Sequence, residues 1–523
     1  MKLNQLLFAL TFAGLATLGA TTIEHSGDIL SNETWHAADE HLLTGQTFVK
    51  DGVTLTIEPG TTVLANEDDG NGLAPALVIE RGGKIMAAGT PTKPITFTTS
   101  LTPEEMLDPR GNWGGIILLG KAPISTTGGT NFVEGLEGVP YGGTDPDDNS
   151  GVLQYVRIWH GGRSIGQDNE INGITCAGVG RGTTIDHCEI AYNLDDGIEF
   201  FGGTVDISYI DVLFVGDDCF DVDEGYQGRG QFLFALEGAD AGNRAYEMDN
   251  QTNGDMNSQP RSHPQFFNVT LIGSGSPDAV ADNDQVVRLR EGVSGDFGNT
   301  IIQDGKVYGV NITDQATLDL IGDSLNWSSN NIIYNCYGGQ FAADYGITSL
   351  DVDPQLTSMD GRESGGMIDP RPARGGAAYQ NVDMVPDDDF FVQTDYKGAF
   401  SDVVWMDGYS LLNDEGRLAV GDEKQGRAIL PSQLTLEGNY PNPFNPTTKI
   451  QFSNEMAEPL TVTIYAITGQ QVNQYKLGVL NPGTHAITWD GTNATGQAMS
   501  SGIYLMELSS PSSRLVGKMT LLK

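Results

Sequence analysis

Short runs in which apolar and polar residues alternate are repeated along most of the chain, and turns containing glycine or proline separate them. Alternation with a period of two is typical of half-buried β-strands. The segments VTLTIEPGTTVLA from Val53 and PALVIERGGKIMA from Pro75 align at an offset of 22 residues, which places Ile57 over Ile79. A fixed period of this size predicts a solenoid, with Ile57 and Ile79 on neighbouring rungs.

The same period returns in the middle of the chain, where IDHCEIAYNLDDGIEF from Ile185 and ISYIDVLFVGDDCFDV from Ile207 also lie 22 residues apart. No helical periodicity separates these strand patterns, so we predict an all-β fold. Its main part is a right-handed parallel β-helix within residues 21–428, with about 10 to 14 coils between residues 40 and 425. Inward-pointing residues at alternate positions should form one continuous apolar column.

The composition changes near the C-terminus, where proline and asparagine lead into five or more strand patterns. Short strands in a segment of about 90 residues predict a small Ig-like β-sandwich. NYPNPFNPTTKI from Asn439, SGIYLMEL around Tyr504 and GKMTLLK ending at Lys523 resemble the type A sorting domain of the type IX secretion system. This resemblance implies that residues 429–523, a linker and a sorting domain, engage the type IX secretion machinery.

The N-terminal part of the chain resembles a second family. LTIEPGTTV, GNWGGIILLGKAPI, DDGIEFFGGTV and DDCFDVDEGYQGRGQFLFAL are similar to segments of exported bacterial right-handed parallel β-helix proteins, a largely uncharacterised family that includes surface lipoproteins. The resemblance implies the β-helix fold and an extracellular location, and it names no substrate.

Lys2 and the apolar run that follows it to Ala20 form the pattern of a signal peptide, which we assign to residues 1–20. No later apolar run is long enough to cross a bilayer, so we expect no transmembrane segment. These features predict a protein that is secreted or held at the outer cell surface. Its four cysteines either pair, with Cys176–Cys188 as the first choice, or are small buried core residues; they are Cys176, Cys188, Cys219 and Cys336.

Aspartate and glutamate outnumber lysine and arginine 69 to 28, and the net charge is −41. A field of this sign repels nucleic acid and anionic membrane surfaces, so we expect neither as a partner. It favours divalent cations and basic or neutral partners, and adaptation to a saline habitat explains it equally well.

The middle repeat also aligns acidic residues with one another. Neighbouring strands would bring such carboxylates to within about 5 Å, where like charges repel unless something neutralises them. Calcium is one remedy, because it takes six to eight oxygen ligands. The sequence therefore offers a possible calcium site, with calcium as the one candidate cofactor, at Asp195, Asp196, Asp217, Asp218, Glu199 and Asp221.

Arginine is the other remedy. The alignment continues the ladder to Glu247 and places Arg288 beside Glu247 and Arg290 beside Asp249. A surface ladder screened by salt and ended by arginines needs no metal, and a catalytic cluster is a third interpretation. A second calcium candidate is the segment TDPDDNSG, through Asp145, Asp147 and Asp148.

Three insertions rich in glycine, aspartate and proline, at residues 101–112, 125–151 and 359–389, interrupt the repeat. Because loops on a rigid framework often carry binding, we predict a secreted or cell-surface scaffold that binds a glycan or a surface protein. The competing class is a calcium-dependent polysaccharide lyase or another carbohydrate-active enzyme. The sequence lacks a nucleophile elbow, a phosphate loop and a zinc motif, and packing is the favoured role for the isolated His160, so we assign no catalytic residue.

Overall fold

A computed structural model describes residues 22–419 and 435–522, apart from residues 71, 134–135, 137, 164–170, 251–253, 280–282, 360–365, 443, 455–457, 467–470, 481–482, 495 and 510–513. The predicted signal peptide, and the linker up to residue 434, lie outside the described residues. The chain divides into two compact units, Met1–Val420 and Gly421–Lys523. None of the helices in the described ranges is long and apolar enough to cross a membrane.

The first unit consists of short strands whose buried positions hold mainly β-branched, leucine and aromatic residues, which suit a pleated surface. In chain order, the strands are β1 (Thr22–Ile29), β2 (Glu33–Trp35), β3 (Glu40–Val49), β4 (Thr54–Ile57), β5 (Thr62–Ala65), β6 (Leu77–Ile79), β7 (Lys84–Ala88), β8 (Ile95–Thr99), β9 (Ile116–Leu119), β10 (Asn131–Phe132), β11 (Pro140–Tyr141), β12 (Gly151–Trp159), β13 (Ile174–Ala177), β14 (Thr184–Ala191), β15 (Ile198–Phe201), β16 (Ile207–Leu213), β17 (Phe220–Asp223), β18 (Arg229–Leu236), β19 (Tyr246–Met248), β20 (Gln265–Ile272), β21 (Gln285–Leu289), β22 (Gly295–Gln303), β23 (Tyr308–Ile312), β24 (Leu325–Trp327), β25 (Ile332–Tyr334), β26 (Gly339–Phe341), β27 (Leu356–Ser358) and β28 (Asp369–Pro372). This unit also contains the one-turn helices α1 (Gln315–Leu318) and α2 (Leu411–Asp414).

A parallel sheet of 24 strands winds into three stacks and forms a β-helix. Stack 1 contains the second halves of β1 and β3, followed by β6, β9, β13, β15, β17, β19, β21, β23 and β26. Stack 2 contains β2, β4 and β7, then the first halves of β12, β14, β16, β18, β20 and β22, and then β24. Stack 3 contains the first halves of β1 and β3, then β5 and β8, the second halves of the same long strands, and β25. The predicted β-helix is thus confirmed.

Inward-pointing side chains of successive rungs form one apolar column. On stack 1, Ile198 lies between Ile174 and Phe220, and Phe220 is followed by Tyr246. Each of these four side chains is at most 1% exposed. Burial of one such side chain contributes roughly 1.5–3 kcal/mol, so the column is the main stabilising element of the unit.

The long strands turn between stacks 2 and 3 at a single residue with left-handed backbone geometry. Tyr155, His187, Tyr209 and Phe232 occupy this corner on successive coils, with φ between 49° and 60°. Their rings stack with centroid separations of 4.5, 4.3 and 4.7 Å. Left-handed geometry costs an ordinary residue roughly 1–2 kcal/mol, and the stacking of large rings helps to offset that cost.

The repeat alignment is right in the middle of the helix and wrong near its beginning. Ile198 pairs with Phe220 at the predicted offset of 22, but Ile57 pairs with Ala87 and Ile79 pairs with Val49. The first segment occupies stacks 2 and 3, whereas the second occupies stacks 1 and 2. The early coils are longer than 22 residues, and the turns between stacks have similar sequences. The alignment therefore matched the turn between stacks 2 and 3 in the first segment to the turn between stacks 1 and 2 in the second.

The prediction that coils continue to residue 425 is wrong, because among the described residues β26 is the last strand of the parallel sheet and a single parallel bridge, between Ile332 and Leu350, joins a later residue to this sheet. Residues 366–419, which we call the return segment, run back along the outer side of stack 3. As the chain proceeds, the return segment passes earlier and earlier strands of the β-helix. Asp383 bonds to Asn299 on β22, Tyr396 bonds to Asn268 on β20, and Leu411 bonds to Glu189 on β14. The return segment buries outward apolar side chains of stack 3 against its own, including Phe234 against Phe400.

All four cysteines are unpaired. Cys176 lies on β13 in stack 1 and Cys188 on the stack 3 half of β14, and both side chains point into the apolar column. The expected bridge between them is therefore wrong, and the alternative role as small core residues describes them well. Cys219 is also buried, whereas Cys336 is half-buried.

The second unit is an Ig-like β-sandwich, as predicted. Its strands are β29 (Thr435–Tyr440), β30 (Thr448–Asn454), β31 (Glu458–Ala466), β32 (Gln471–Leu480), β33 (Gly483–Trp489), β34 (Gly502–Ser509) and β35 (Arg514–Leu521). One antiparallel sheet has the order β29–β30–β33 and the other β32–β31–β34–β35. Trp489, Ile450 and Val462, each fully buried, belong to the core of this unit.

Replacement of Phe200 by alanine tests the apolar column. Phe200 is fully buried and stacks on Tyr226 at 4.3 Å, so Phe200→Ala leaves a cavity and should lower the stability of the first unit by about 3–5 kcal/mol. Phe132 on β10 is 55% exposed and supplies the matched control, Phe132→Ala. Urea denaturation should give a clearly lower midpoint for the first variant alone, and equal midpoints would contradict the assignment of Phe200 to the column.

Candidate acidic pocket

Outward positions of stack 1 form a ladder whose chemistry changes along the axis of the β-helix. The parallel register sets the order, because each residue lies directly beside its equivalent on the next rung. From the N-terminal end, the ladder reads Phe48, Val78, Ile117, Thr175, Glu199, Asp221, Glu247, Arg288 and Asn311. An apolar half is thus followed by three carboxylates and then by a cation.

The apolar half of the ladder is covered by the insertion between β9 and β12. Ile124, Leu136 and Tyr141 of this insertion are buried in one cluster with Val78 and Ile117. The insertion is also held at Glu224, whose carboxylate accepts hydrogen bonds from the Tyr141 hydroxyl at 2.6 Å and the Asn131 amide at 2.7 Å. The covered region ends where the carboxylates begin.

A recess of about 250 Å³ lies at that boundary. Its wall includes Ile117, Val133, Ile171, Asn172, Thr175 and Phe201. The acidic residues that line it are Asp195, Asp196, Glu199, Asp217, Asp218, Asp221 and Glu247. We call this recess the acidic pocket; it brings together all six residues of the predicted calcium site and adds Glu247.

Two equivalent turns on successive coils supply four of these carboxylates. The backbone N–H of Asp218 donates to Asp196 Oδ1 at 2.9 Å, and the N–H of Gly197 donates to the Asp218 carbonyl at 2.9 Å. A Cβ atom at Gly197 would lie 2.4 Å from Val212 and 2.6 Å from the Cys219 carbonyl, so this turn requires glycine. Close contact between the turns therefore holds the Asp196 carboxylate against the next coil.

The carboxylate oxygens are close enough to share a cation. Three overlapping sets of carboxylates among the described residues have oxygens within 4.8 Å of one another. They are Asp195, Asp196 and Asp217; Asp196, Glu199 and Asp221; and Asp218, Asp221 and Glu247. Calcium binds oxygen at roughly 2.3–2.6 Å, so two of its ligands can be separated by up to about 5 Å. Each set has the donor type and the spacing that calcium requires.

Burial and mutual repulsion disfavour the charged forms of these acids. The pKa values of Asp196, Asp218 and Asp221 lie well above the usual range for aspartate, first because of burial and second because of the neighbouring carboxylates. Three buried oxygens of the pocket, Asp218 Oδ1, Asp221 Oδ1 and Asn172 Oδ1, accept no hydrogen bond from the described residues. These oxygens have lost water without gaining a hydrogen-bond donor; Asp218 as a whole is 2% exposed and Asn172 4% exposed.

Arginines end the ladder as the sequence predicts. Arg288 Nη1 lies 3.1 Å from Glu247 Oε1, and Arg290 Nη2 lies 2.6 Å from Asp249 Oδ2. Arg244 Nη1 lies 3.6 Å from Glu247 and 3.8 Å from Asp218. The cationic side chains therefore compensate the Glu247 end of the pocket.

The second calcium candidate does not assemble as a site. Asp145 accepts a hydrogen bond from the backbone of Asp147 at 3.1 Å, and Asp148 is buried and accepts from the backbone of Lys121 at 3.0 Å. These side chains instead organise a turn at the end of the insertion.

His160 is a packing residue. Its Nδ1 lies 2.7 Å from the Pro109 carbonyl, and its ring stacks on Tyr192 with centroids 5.7 Å apart. The pKa of His160 is lowered because the ring is buried. This geometry agrees with the packing role favoured by the sequence.

Sequence reasoning missed the non-carboxylate part of the pocket. Val133 comes from the insertion between β9 and β12, and Ile171 and Asn172 come from the connection between β12 and β13. No repeat alignment can predict the path of either segment. Phe201 directly follows the aligned Phe200, but only the position of the insertion makes it a wall. Glu247 could have been assigned to the site, since the alignment already placed it next to Asp221 on the ladder.

The raised pKa values predict how the cation-free protein responds to pH. Above about pH 4 the folded protein keeps protons that the unfolded chain loses, so stability should fall as the pH rises towards 8. Asp221→Asn removes one titrating group and should flatten this fall by up to about 1.4 kcal/mol per pH unit. Thermal melting in chelator at pH 5 and pH 8 measures the effect, with Asp387→Asn as an exposed control; identical slopes for all three proteins would refute the prediction.

Comparison with protein families gives two matches. Residues 27–357 match the model of the pectate-lyase like beta helix domain, and residues 439–513 match the FlgD Ig-like domain. Comparison with curated proteins gives no match.

Comparison with solved structures gives partial likenesses. FlgD from P. aeruginosa is 25% identical over 14% of this chain and 58% of its own, with a TM-score of 0.13. Latent PorU from Porphyromonas gingivalis is 21% identical over 20% of this chain and 10% of its own, with a TM-score of 0.17. The chain thus spans less than two thirds of either protein.

Tailspike protein 2 from an Escherichia coli O157:H7 bacteriophage is 10% identical over 91% of this chain and 64% of its own, with a TM-score of 0.26. The family match rests on the β-helix itself and extends over more than half of the 523 residues. The protein belongs to the pectate-lyase like beta helix domain family.

Proposed function

We propose that the protein is an exported β-helix scaffold of the cell surface whose acidic pocket binds calcium. The observation that carries the proposal is the convergence of seven carboxylates in one recess, in which Asp218 Oδ1, Asp221 Oδ1 and Asn172 Oδ1 are buried and accept no hydrogen bond from the described residues. Water-depleted carboxylates at this spacing repel one another, and a divalent cation would convert that repulsion into attraction.

The end of the pocket formed by Asp195, Asp196 and Asp217 is the favoured position for the ion. These three residues come from two neighbouring coils, and their oxygens lie within 4.8 Å of one another. The opposite end already has Arg244 and Arg288 against Glu247. A cation at the first end would be coordinated by carboxylates of two coils, with Glu199 and Asn172 Oδ1 as further oxygen donors nearby.

Calcium at this position would tie successive coils together beside the insertion between β9 and β12 and the connection between β12 and β13. The bound ion would hold the turns at Asp196 and Asp218 in register and would support Asn172 next to them. Rigid loops lose less conformational entropy when they bind a partner. On this proposal the ion stabilises a loop surface that recognises a glycan or another surface protein.

Export through the type IX secretion route completes the proposal. It is supported by the Ig-like fold of the second unit and by the motifs around Asn439, Tyr504 and Lys523 that resemble the type A sorting domain. The predicted signal peptide at residues 1–20 would provide the first export step. The strongly acidic composition suits an extracellular protein that binds cations.

A polysaccharide lyase is the second candidate, and the family match favours it. Such an enzyme needs an arginine or lysine that can act as a base beside the metal. Arg244, Arg288 and Arg290 lie near the carboxylates, but each is engaged in ion pairs with Glu247, Asp218 or Asp249. This engagement favours the scaffold over the enzyme.

Calcium should stabilise the folded protein. Since the ion binds the native pocket and not the unfolded chain, calcium at 100 times its dissociation constant should add about 2.7 kcal/mol, visible as a higher melting temperature than in chelator. Asp195→Asn combined with Asp217→Asn should abolish this increase. The control is Asp145→Asn combined with Asp147→Asn, which should keep it. A full calcium response in the first double variant, or none in the unaltered protein, would refute the proposed site.

The scaffold and the lyase differ in their products. We expect the purified protein with calcium to bind acidic or neutral polysaccharides without releasing unsaturated or reducing ends, because Arg244, Arg288 and Arg290 are held in ion pairs. Chromatographic analysis of digests, beside binding measured on the same glycans, checks this expectation. Release of unsaturated ends that disappears on addition of chelator would establish the enzyme instead.

A further inference from the structure

A second pair of carboxylates lies on the opposite side of the coils from the acidic pocket, beneath the return segment. Glu189 on β14 and Asp211 on β16 are register partners on successive rungs of stack 3. Both side chains point outward from the β-helix, and both are fully buried, with 0% exposure. The return segment covers them, mainly through Tyr409, Ser410 and Leu411.

One oxygen of each carboxyl group has a donor. Glu189 Oε1 accepts hydrogen bonds from the Trp159 indole and from the backbone N–H of Leu411, both at 2.7 Å. Asp211 Oδ1 accepts from the Tyr409 hydroxyl at 3.4 Å. Glu189 therefore attaches the return segment to the β-helix through a main-chain hydrogen bond, and Asp211 attaches it through a side chain.

The other oxygen of each group, Glu189 Oε2 and Asp211 Oδ2, is buried and has no donor among the described residues. Adjacent strands bring such groups within about 5 Å of each other. Two ionised carboxylates at this distance, away from water, would repel strongly. A single proton held between the two oxygens would satisfy both and would leave one negative charge.

The charged groups around the pair do not remove this need for a proton. Arg157 precedes Glu189 on the ladder, but its guanidinium donates to Thr96, to the Tyr409 carbonyl and to Asp414 on the return segment. On β14, Asp186 is paired with His187.

The remaining titratable neighbours are weak acids. Tyr409 and Tyr155 lie on the outer side, and Cys188 points inward; burial raises the pKa of each of the three. None of these groups supplies a positive charge to Glu189 or Asp211.

We infer that Glu189 and Asp211 share one proton and form a pH-sensitive latch that holds the return segment on the β-helix. When the proton is lost to water, two negative charges face each other beneath Tyr409 and Leu411. The repulsion then opposes docking, and separation of the return segment from stack 3 lets water reach both carboxylates. The return segment should therefore be held most tightly at acidic pH and progressively less tightly as the pH rises.

The direction of the effect follows from linkage. Burial raises the pKa of both groups; the neighbouring Glu189 raises the pKa of Asp211 further, whereas the hydrogen bond with Asp211 lowers that of Glu189. The docked state therefore binds more protons than a state in which the return segment is released. Above the ordinary carboxylate range, docking must weaken as the pH rises, by up to tenfold in the docking equilibrium per pH unit for one proton.

Glu189→Gln is the decisive variant. Its Oε1 can still accept from Trp159 and Leu411, while its amide replaces the shared proton and donates to Asp211. Hydrogen exchange of peptides from residues 399–418 in the full chain, corrected for intrinsic exchange rates between pH 6 and pH 9, measures docking. The unaltered protein should lose protection with rising pH, by up to tenfold per pH unit, and Glu189→Gln should keep its protection across the range.

Two further variants complete the experiment. Asp211→Asn should reproduce the pH-independent protection, since its amide can donate to Glu189 Oε2, and it serves as the test if the first variant fails to fold. Glu237→Gln is the matched control, because Glu237 is also buried with a pKa raised to about 8, but its neighbours are Asn283 and Arg244 rather than the return segment. It should retain the pH-dependent loss of protection at residues 399–418.

Protection that does not change with pH in the unaltered protein would overturn the latch. So would an equal loss of protection in the unaltered protein and in the Glu189 and Asp211 variants, because the loss would then arise elsewhere. A pH-independent segment in Glu237→Gln would also contradict it, since the effect would then be a general property of buried acids.

Discussion

Stacking of equivalent side chains at a fixed rung spacing is the constraint on which the whole β-helix depends. Backbone hydrogen bonds hold successive strands roughly 4.8 Å apart, so neighbouring side chains cannot separate to relieve a mismatch. Inside the helix this constraint is favourable, because Ile198, Phe220 and Tyr246 pack continuously along the column. It also lets Tyr155, His187 and Tyr209 stack at the corner. On the outside, the same constraint holds like charges side by side.

The protein meets that repulsion differently according to the surroundings of each carboxylate. At one end of the stack 1 ladder, Arg288 neutralises Glu247. Beneath the return segment the neighbouring Arg157 is bonded to Thr96, Tyr409 and Asp414 rather than to Glu189, and there we infer that a shared proton removes the repulsion between Glu189 and Asp211. The acidic pocket is open enough for a hydrated ion to enter, and there the proposed remedy is calcium. The local amount of water and the nearest donor decide which remedy applies, although the strand geometry is the same in all three places.

The accuracy of the sequence predictions follows from loop length. Between Ile185 and Asp223 the coils contain only short turns, so a single offset correctly aligned Glu199 with Asp221, and the six residues of the predicted calcium site all line the acidic pocket. Near the N-terminus longer coils broke the period, and Ile57 was assigned to the wrong neighbour. Asn172 and Val133 reach the pocket on connections between strands, and the path of such a connection is set by what it packs against rather than by the repeat.

The sequence by itself determined the all-β class, the β-helix, the Ig-like unit and the ladder of carboxylates, because strand alternation and a short repeat are local properties of the chain. Only the tertiary structure decided that residues 366–419 fold back over stack 3 and bury Glu189 and Asp211, and that an insertion closes one side of the acidic pocket. The first outcome depends on contacts between residues more than a hundred positions apart, such as Leu411 with Glu189 and Ala399 with Thr270. The second depends on contacts such as that of Tyr141 with Glu224, which are 83 positions apart. Such contacts follow from the shape of the assembled surface, which no local pattern contains.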